Sequence, residues 1–219
     1  MPAKTQSQSR PQILVPAWIG ADHPFHLNQS VKKRIYRDYN HKGIFLNVPY
    51  SKGYLPLELS IVSTATAYGL RPRKATERVR MEVRMLKILE MICACRFGLT
   101  DLSYEKRMNM PLELGILLAF GKETFVTSRK TYGALRTVSD LNFGDIRYHG
   151  GSVRKLIIQF SRWIEQTCSS KRLSTDYLLR RYRRVRRIQS ELREDFDRLT
   201  PEQLTKLIGI AEEEFQASL

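Results

Sequence analysis

The chain reads as an α/β protein: a Rossmann-like (flavodoxin-like) parallel sheet of about five strands with helices on both faces, plus a C-terminal helical extension. Three observations predict this. Short apolar runs of strand length alternate with amphipathic stretches of helix length. One run ends on an acid, in Thr100-Asp101-Leu102-Ser103, at the position where α/β sheets bind ligands beyond their strands' carboxyl ends. Residues 174–219 carry helical periodicity without any strand signal.

In chain order, residues 1–12 are expected to be disordered, and residues 13–42 hold scattered apolar positions and the basic run Lys32-Lys33-Arg34, a short helix or arm leading into the core. Gly43 to Tyr50 is an apolar run ended by Asn, Pro and Tyr, a buried parallel strand entering a loop. Leu55 to Tyr68 is helical, with Gly69 as its stop. Residues 71–77 form a polar second strand, and Arg78 to Cys95 an amphipathic helix. Phe97 to Ser103 is the third strand. The helix after it spans Asn109–Phe120, with Asn109 as N-cap, Pro111 at the first helical position and Glu113 in the first turn. Glu123 to Ser128 is the fourth strand; a loop with a turn at Ser139-Asp140-Leu141 leads to a fifth at Asp145 to His149 and a helix at Ser152 to Cys168. Leu178, Tyr182, Val185, Ile188, Leu192, Phe196 and Leu199 then recur as the stripe of one long helix. Thr200-Pro201-Glu202-Gln203 starts another with a capping box. The boundaries that follow are an N-terminal arm over 1–42, a Rossmann-like domain over 43–170 and a basic helical extension over 171–219.

Composition sets limits on function. With 219 residues and 42% apolar content, the chain is expected to bury one sizeable core. No apolar run reaches the roughly 18–20 residues that span a bilayer, and Met1 to Gln12 lacks the apolar core of a secretory signal, so a cytoplasmic protein without membrane contact is expected. Three cysteines, Cys93, Cys95 and Cys168, make a disulfide framework unexpected and leave a zinc site without suitably spaced ligands. Cys93 and Cys95, set among Met91, Ile92 and Ala94, read as core thiols. The formal net charge of +15 should attract anions: nucleic acid, nucleotides or an acidic partner.

Glu113 and Asp101 are the candidate catalytic residues. A glutamate in a helix's first turn feels the partial positive charge there, which favours its ionised form. Aimed at a pocket, such a carboxylate is a nucleophile or a cation stabiliser. Placed elsewhere, it is an ordinary first-turn acid. Asp101 would meet the ligand or cap the following turn. Asn47, Tyr50, Ser103 and Asn109 are candidate substrate contacts, with packing for Tyr50 and capping for Asn109 as the plain alternatives. His149, before Gly150-Gly151, reads first as a surface or hydrogen-bonded residue and second as an acid–base group. Arg180, Arg181, Arg183, Arg184, Arg186 and Arg187 oppose the apolar stripe of the long helix. They would form a solvated face, a dock for an acidic protein, or a surface for nucleic-acid phosphates. Only Tyr182 lies among them, so stacking of bases is not expected. The stripe itself also suits a seam between protomers, making a homo-oligomer an open expectation.

The first strand ending FLNVPY, the third ending GLTDLS and the helix NMPLELGILLAFGK resemble nucleoside 2-deoxyribosyltransferase-like proteins, a Rossmann-like group related in architecture to TIR domains. The likeness runs over roughly residues 43–168, leaving the C-terminal helices outside. It is similar above all to bacterial proteins with FLNVPY and NMPxELG signatures. The resemblance implies that the glutamate of E-L-G, here Glu113, attacks or stabilises the anomeric carbon of a ribose. It implies that the acid ending the third strand, Asp101, orients the sugar, with Asn47 and Tyr50 following the first strand. The loop Asn47-Val48-Pro49-Tyr50-Ser51-Lys52-Gly53 departs from the family's often glycine-rich loop, so substrate identity does not carry over. N-glycosidase action on NAD or a nucleotide is implied, with no cofactor required, as is a role as a nucleotide-depleting toxin in bacterial antiviral defence controlled by a partner or by assembly. The alternative is a module that senses a nucleotide without turnover and holds nucleic acid or protein on its basic helix.

The chemistry is self-consistent. Breaking an N-glycosidic bond develops positive charge on the ribose, which a carboxylate below the anomeric carbon stabilises or captures. Nicotinamide is already cationic and leaves without protonation. A purine would want a proton donor, a task that falls to Tyr50 or Asp101.

Overall fold

The computed structural model describes residues 28–74, 81–103, 109–129 and 146–191, together with positions 203, 206, 207, 209, 210 and 213. Five strands form one sheet: β1 (Asn40–Asn47), β2 (Arg71–Arg73), β3 (Cys95–Asp101), β4 (Glu123–Ser128) and β5 (Arg147–Tyr148). Their order is β2-β1-β3-β4-β5 and every neighbouring pair is parallel. Among the described residues they are accompanied by the helices α1 (Gln29–Asp38), α2 (Leu55–Ala67), α3 (Met81–Ala94), α4 (Asn109–Ala119), α5 (Val153–Thr167) and α6 (Thr175–Glu191). The Rossmann-like class expected from the sequence is the observed one.

Alternation along the strands sorts the core into two layers. Ile44 and Leu46 of β1 join Phe97, Leu99 and Phe125 in the cluster beneath α2, α5 and α6. Phe45, between them, turns to the opposite face with Val31, Ile35, Ile88 and Ile92 of α1 and α3. The period of two in a strand dictates this division. α5 is seated by aromatic contacts: the Phe160 and Trp163 rings stack with centroids 5.9 Å apart, and Trp163 meets Phe97 edge-on at 6.1 Å. Leu178, Tyr182, Val185 and Ile188 carry α6 onto the same layer. Pro72 is tolerated because β2 lies at the sheet's edge, where its missing N–H costs no ladder bond.

The helix ends follow local chemistry. Gly69 (φ 72°) and Gly121 (φ 63°) adopt the left-handed conformation that glycine accepts most readily. After each, the next N–H reaches five residues back, Leu70 to the Ala65 carbonyl and Lys122 to that of Leu117, closing α2 and α4 with Schellman turns. Ser152 Oγ accepts the Lys155 N–H to cap α5. α3 passes into β3 without an intervening residue. That joint is held by Lys122, whose Nζ donates to the carbonyls of Cys95 (2.7 Å) and Cys93 (3.2 Å). Burial lowers the Lys122 pKa and raises those of the thiols, Cys93 to about 11 and Cys95 to about 12. Both are core thiols, as expected.

Several boundaries differ from the sequence reading. The basic run at 32–34 lies within α1, which Asn28 caps by accepting the Val31 N–H at 3.0 Å. Arg34 then pairs with Glu90 of α3. This segment therefore packs into the fold, and β1 begins at Asn40 rather than Gly43. β2 is only three residues long. α4 begins at Asn109 itself, which places Pro111 third and Glu113 fifth in the helix, with no acid in its first turn. A proline at the third position costs nothing, because none of the first four N–H groups has an intrahelical partner. The expected turn at Ser139-Asp140-Leu141 lies outside the described residues. So do the disorder over 1–12, His23, His26 and most of the helix starting at Thr200. Among the described residues no helix is long and apolar enough to cross a membrane.

Two glycines should behave oppositely. A Cβ on Gly98 would come within 2.9 Å of both Leu117 methyl carbons and of Thr124 Oγ1, whereas one on Gly115 would meet nothing within 4 Å. Gly98→Val is expected to cost about 1–3 kcal/mol through overpacking. Gly115→Ala, in a helix interior, should stabilise by about 0.5–1 kcal/mol. Urea midpoints of the two variants measure both.

Candidate active site

In an all-parallel sheet the carboxyl ends gather on one edge. From β1 the chain moves outward through α2 to β2, then crosses back beneath the other face through α3 to β3. α2 and α4 consequently leave β1 and β3 on opposite faces, and the switch point between those strands is where such sheets bind ligands. Asn47, Asp101, Ser103 and His149 all stand at or just beyond strand ends on this edge.

Asn47, the last residue of β1, is buried. Its Nδ2 donates to the Met110 carbonyl in the first turn of α4 (2.8 Å) and to Thr100 Oγ1 (3.3 Å). One side-chain amide thus fixes the start of α4 against the ends of β1 and β3. Glu113 lies three residues beyond Met110, the helical spacing of surface neighbours, and is half-buried. Its expected support from the helix start is weaker than the sequence suggested, because that field fades beyond the first turn. The backbone of Asn109 opens α4 in place of capping it, and its side chain lies outside the described residues.

Asp101 ends β3 with no exposed surface. Its Oδ1 accepts from the Ser103 N–H (2.8 Å) and the Ser103 hydroxyl; its Oδ2 accepts from the Tyr54 hydroxyl (2.5 Å) and His149 Nε2 (3.0 Å). Tyr54 ends the short 3-10 turn Lys52–Tyr54 that leads into α2. His149 follows β5, and its Nδ1 accepts the Gly151 N–H at 3.0 Å. That bond places the imidazole proton on Nε2, the nitrogen facing Asp101. Ser103 Oγ also accepts the Arg129 N–H beyond β4 (2.7 Å). One carboxylate therefore ties together the segments following β1, β3, β4 and β5.

This geometry decides what each group can do. Asp101 has no exposed surface and accepts four hydrogen bonds, so it holds Tyr54, Ser103 and His149 in place. Ser103 is not set up as a nucleophile, although a Ser, a His and an Asp lie together. The imidazole of a nucleophilic triad bridges acid and hydroxyl through its two nitrogens. Here Asp101 and Ser103 both approach Nε2, the latter at 3.4 Å, while the backbone occupies Nδ1. The Tyr54 hydroxyl is pushed well above its ordinary pKa of 10, first by burial and then by the Asp101 charge. Its proton is directed at Asp101.

A second buried group borders the edge. Lys74, just past β2, is ion-paired with Glu58 in the first turn of α2, and both are nearly inaccessible. Burial raises the Glu58 pKa, with the Lys74 charge opposing. The Tyr50 ring lies 4.4 Å from Lys74 Nζ, a cation–π contact that realises the packing alternative for this residue. On α6, Arg180, Arg183, Arg186 and Arg187 are exposed and Arg184 is half-buried. Arg181 is not on the solvent face as expected. It is buried against α2, its Nη2 3.5 Å from Thr66 Oγ1, because it falls on the apolar stripe between Leu178 and Val185.

The sequence reading missed Tyr54, Glu58, Lys74 and Arg129 and underrated His149. A tyrosine at the entry to α2 and a lysine directly after a strand were the available signals. Among the described residues, no three His, Cys, Asp or Glu side chains gather to hold a metal. No family model matches the chain, and no curated protein and no solved structure matches it either.

Removing one partner from each buried network gives distinct outcomes. Tyr54→Phe takes one donor from Asp101 and should cost about 1–3 kcal/mol. Lys74→Met leaves Glu58 unpaired and should cost about 3–5 kcal/mol at neutral pH. The Glu58 folded-state pKa, already above 4.5, rises further without Lys74. A raised folded-state pKa gives stability that is full at acid pH and lost as pH climbs through the folded value. The Lys74→Met deficit should accordingly shrink below pH 4.5 and grow towards neutrality, as followed by denaturant melts across that range.

Proposed function

We propose that the chain is an N-glycosidase that binds NAD or a related nucleotide at the switch point between β1 and β3 and cleaves its N-glycosidic bond. The observation that carries this reading is the latch from Asn47 to the Met110 carbonyl, which fixes the start of α4, one helical turn before Glu113, at the ligand-binding edge. In this reading Glu113 is the carboxylate that stabilises or captures the ribosyl cation. Asp101 acts through others, holding Tyr54, Ser103 and His149 in place around the crevice.

The protonation states favour one leaving group. Tyr54 keeps its proton, and Asp101 is enclosed. Among the described residues, the Tyr54 hydroxyl and His149 Nε2 both face Asp101, an arrangement that suits nicotinamide, which departs as a neutral molecule from a cationic precursor. It suits a purine poorly, since that base leaves easily only when protonated. A role as a nucleotide-depleting toxin of bacterial antiviral defence, held in check by a partner or by assembly, extends this reading on the sequence resemblance alone. A sensing role would use the same crevice without turnover.

Glu113→Gln tests the proposal. The wild-type protein should release nicotinamide from NAD, and the variant should do so about 10²–10³-fold more slowly while retaining NAD-dependent thermal stabilisation. Equal stabilisation without product from either protein would establish sensing. Equal rates from both would remove Glu113 from the chemistry.

A further inference from the structure

We infer that α5 and α6 together form a binding surface for the phosphate backbone of double-stranded nucleic acid. The two helices pack on the same face of the sheet, with their apolar sides in one core. The outward side of each is cationic. Arg154, Lys155 and Arg162 follow one another at helical spacing along α5 and are exposed; Arg183, Arg186 and Arg187 do the same along α6. Each set lines an open hollow, of about 330 Å³ on α5 with Ser152 and Gln159, and of about 640 Å³ on α6 with Gln189 and Ser190.

The pairing state of these cations contrasts with that of two arginines of α1. On the opposite layer, Arg34 is bound to Glu90 and Arg37 to Asp38. Among the described residues Arg154, Lys155, Arg162, Arg183 and Arg186 have no carboxylate partner, and Arg187 has only an exposed contact with Glu191 at 3.3 Å. Like charges crowded on two adjacent helices repel one another until anions neutralise them, and a phosphate backbone supplies anions at regular short intervals. Ser152, Gln159, Gln189 and Ser190 add neutral groups of the kind that bond phosphate oxygens.

The same surface favours a duplex over a single strand. Single-strand binders stack bases on exposed aromatic rings. Tyr182, the aromatic residue lining the α6 hollow, is buried in the core. With no exposed ring among the described residues lining these hollows and six cations to contact phosphate, recognition is of the backbone and independent of sequence.

The test compares two charge-matched triple variants with the wild-type chain by fluorescence anisotropy on a labelled 20-base-pair DNA. One is Arg154→Gln/Lys155→Gln/Arg183→Gln. The other is Lys33→Gln/Arg37→Gln/Lys87→Gln, exposed positions of α1 and α3 on the opposite layer of the sheet. Six phosphate contacts predict a wild-type affinity that falls about 10³-fold between 50 and 200 mM salt. The first variant should bind at least tenfold more weakly and lose about three units of salt slope; the second should resemble wild type. Equal losses in both variants would reduce the effect to net charge and overturn the proposal. Tighter binding of polyglutamate or of a single strand than of the duplex would also overturn it. Circular dichroism of each variant excludes misfolding as the cause of any loss.

Discussion

The carboxyl edge of this sheet depends on the carboxylate of Asp101. Its four hydrogen bonds come from Tyr54, from Ser103 twice and from His149, so it joins the entry to α2, its own strand end and the segment after β5. Through Ser103 it also reaches the Arg129 amide beyond β4. A buried carboxylate is costly unless its acceptor positions are filled by well-aligned donors. Here those donors sit on three different segments, so filling the acceptor positions also sets the relative positions of the segments. Satisfying one charge and shaping one crevice are the same event.

How much of this was legible in the sequence follows from the range of the interactions. Gly69, Gly121 and the alternating apolar runs report local backbone chemistry, and strand and helix positions read from them agree with the structure to within a few residues. The hub does not read out this way. Tyr54 and Asp101 are 47 residues apart, and His149 and Asp101 are 48 apart. No local pattern marks a tyrosine at a helix entry as the partner of an acid two strands later. Arg181 shows a different failure: its spacing from Leu178 and Val185 already placed it on the buried stripe, but its charge argued for the surface. An arginine has a long apolar stem and can line such an interface while its guanidinium finds a polar partner. α1 was faint because only Val31 and Ile35 mark its buried side.

Charge is distributed with the layers. α2 and α4, the helices flanking the crevice, contain no basic residue, whereas the outward sides of α5 and α6 are crowded with cations. Among the described residues, the helices that leave the ends of β1 and β3 thus carry no positive charge of their own. On the basic face, long-range attraction operates and fades as salt screens it.

The direct passage from α3 into β3 has a mechanical consequence. Most such joints contain several residues that absorb small displacements. Here Ala94 ends the helix and Cys95 begins the strand, and the Lys122 ammonium clamps the carbonyls on either side. A shift of α3 along its axis therefore has no slack in which to dissipate and is passed to β3, whose far end is Asp101. The layer formed by α1 and α3 is thereby coupled to the carboxyl edge of the sheet, and a displacement there reaches Asp101 without any hinge.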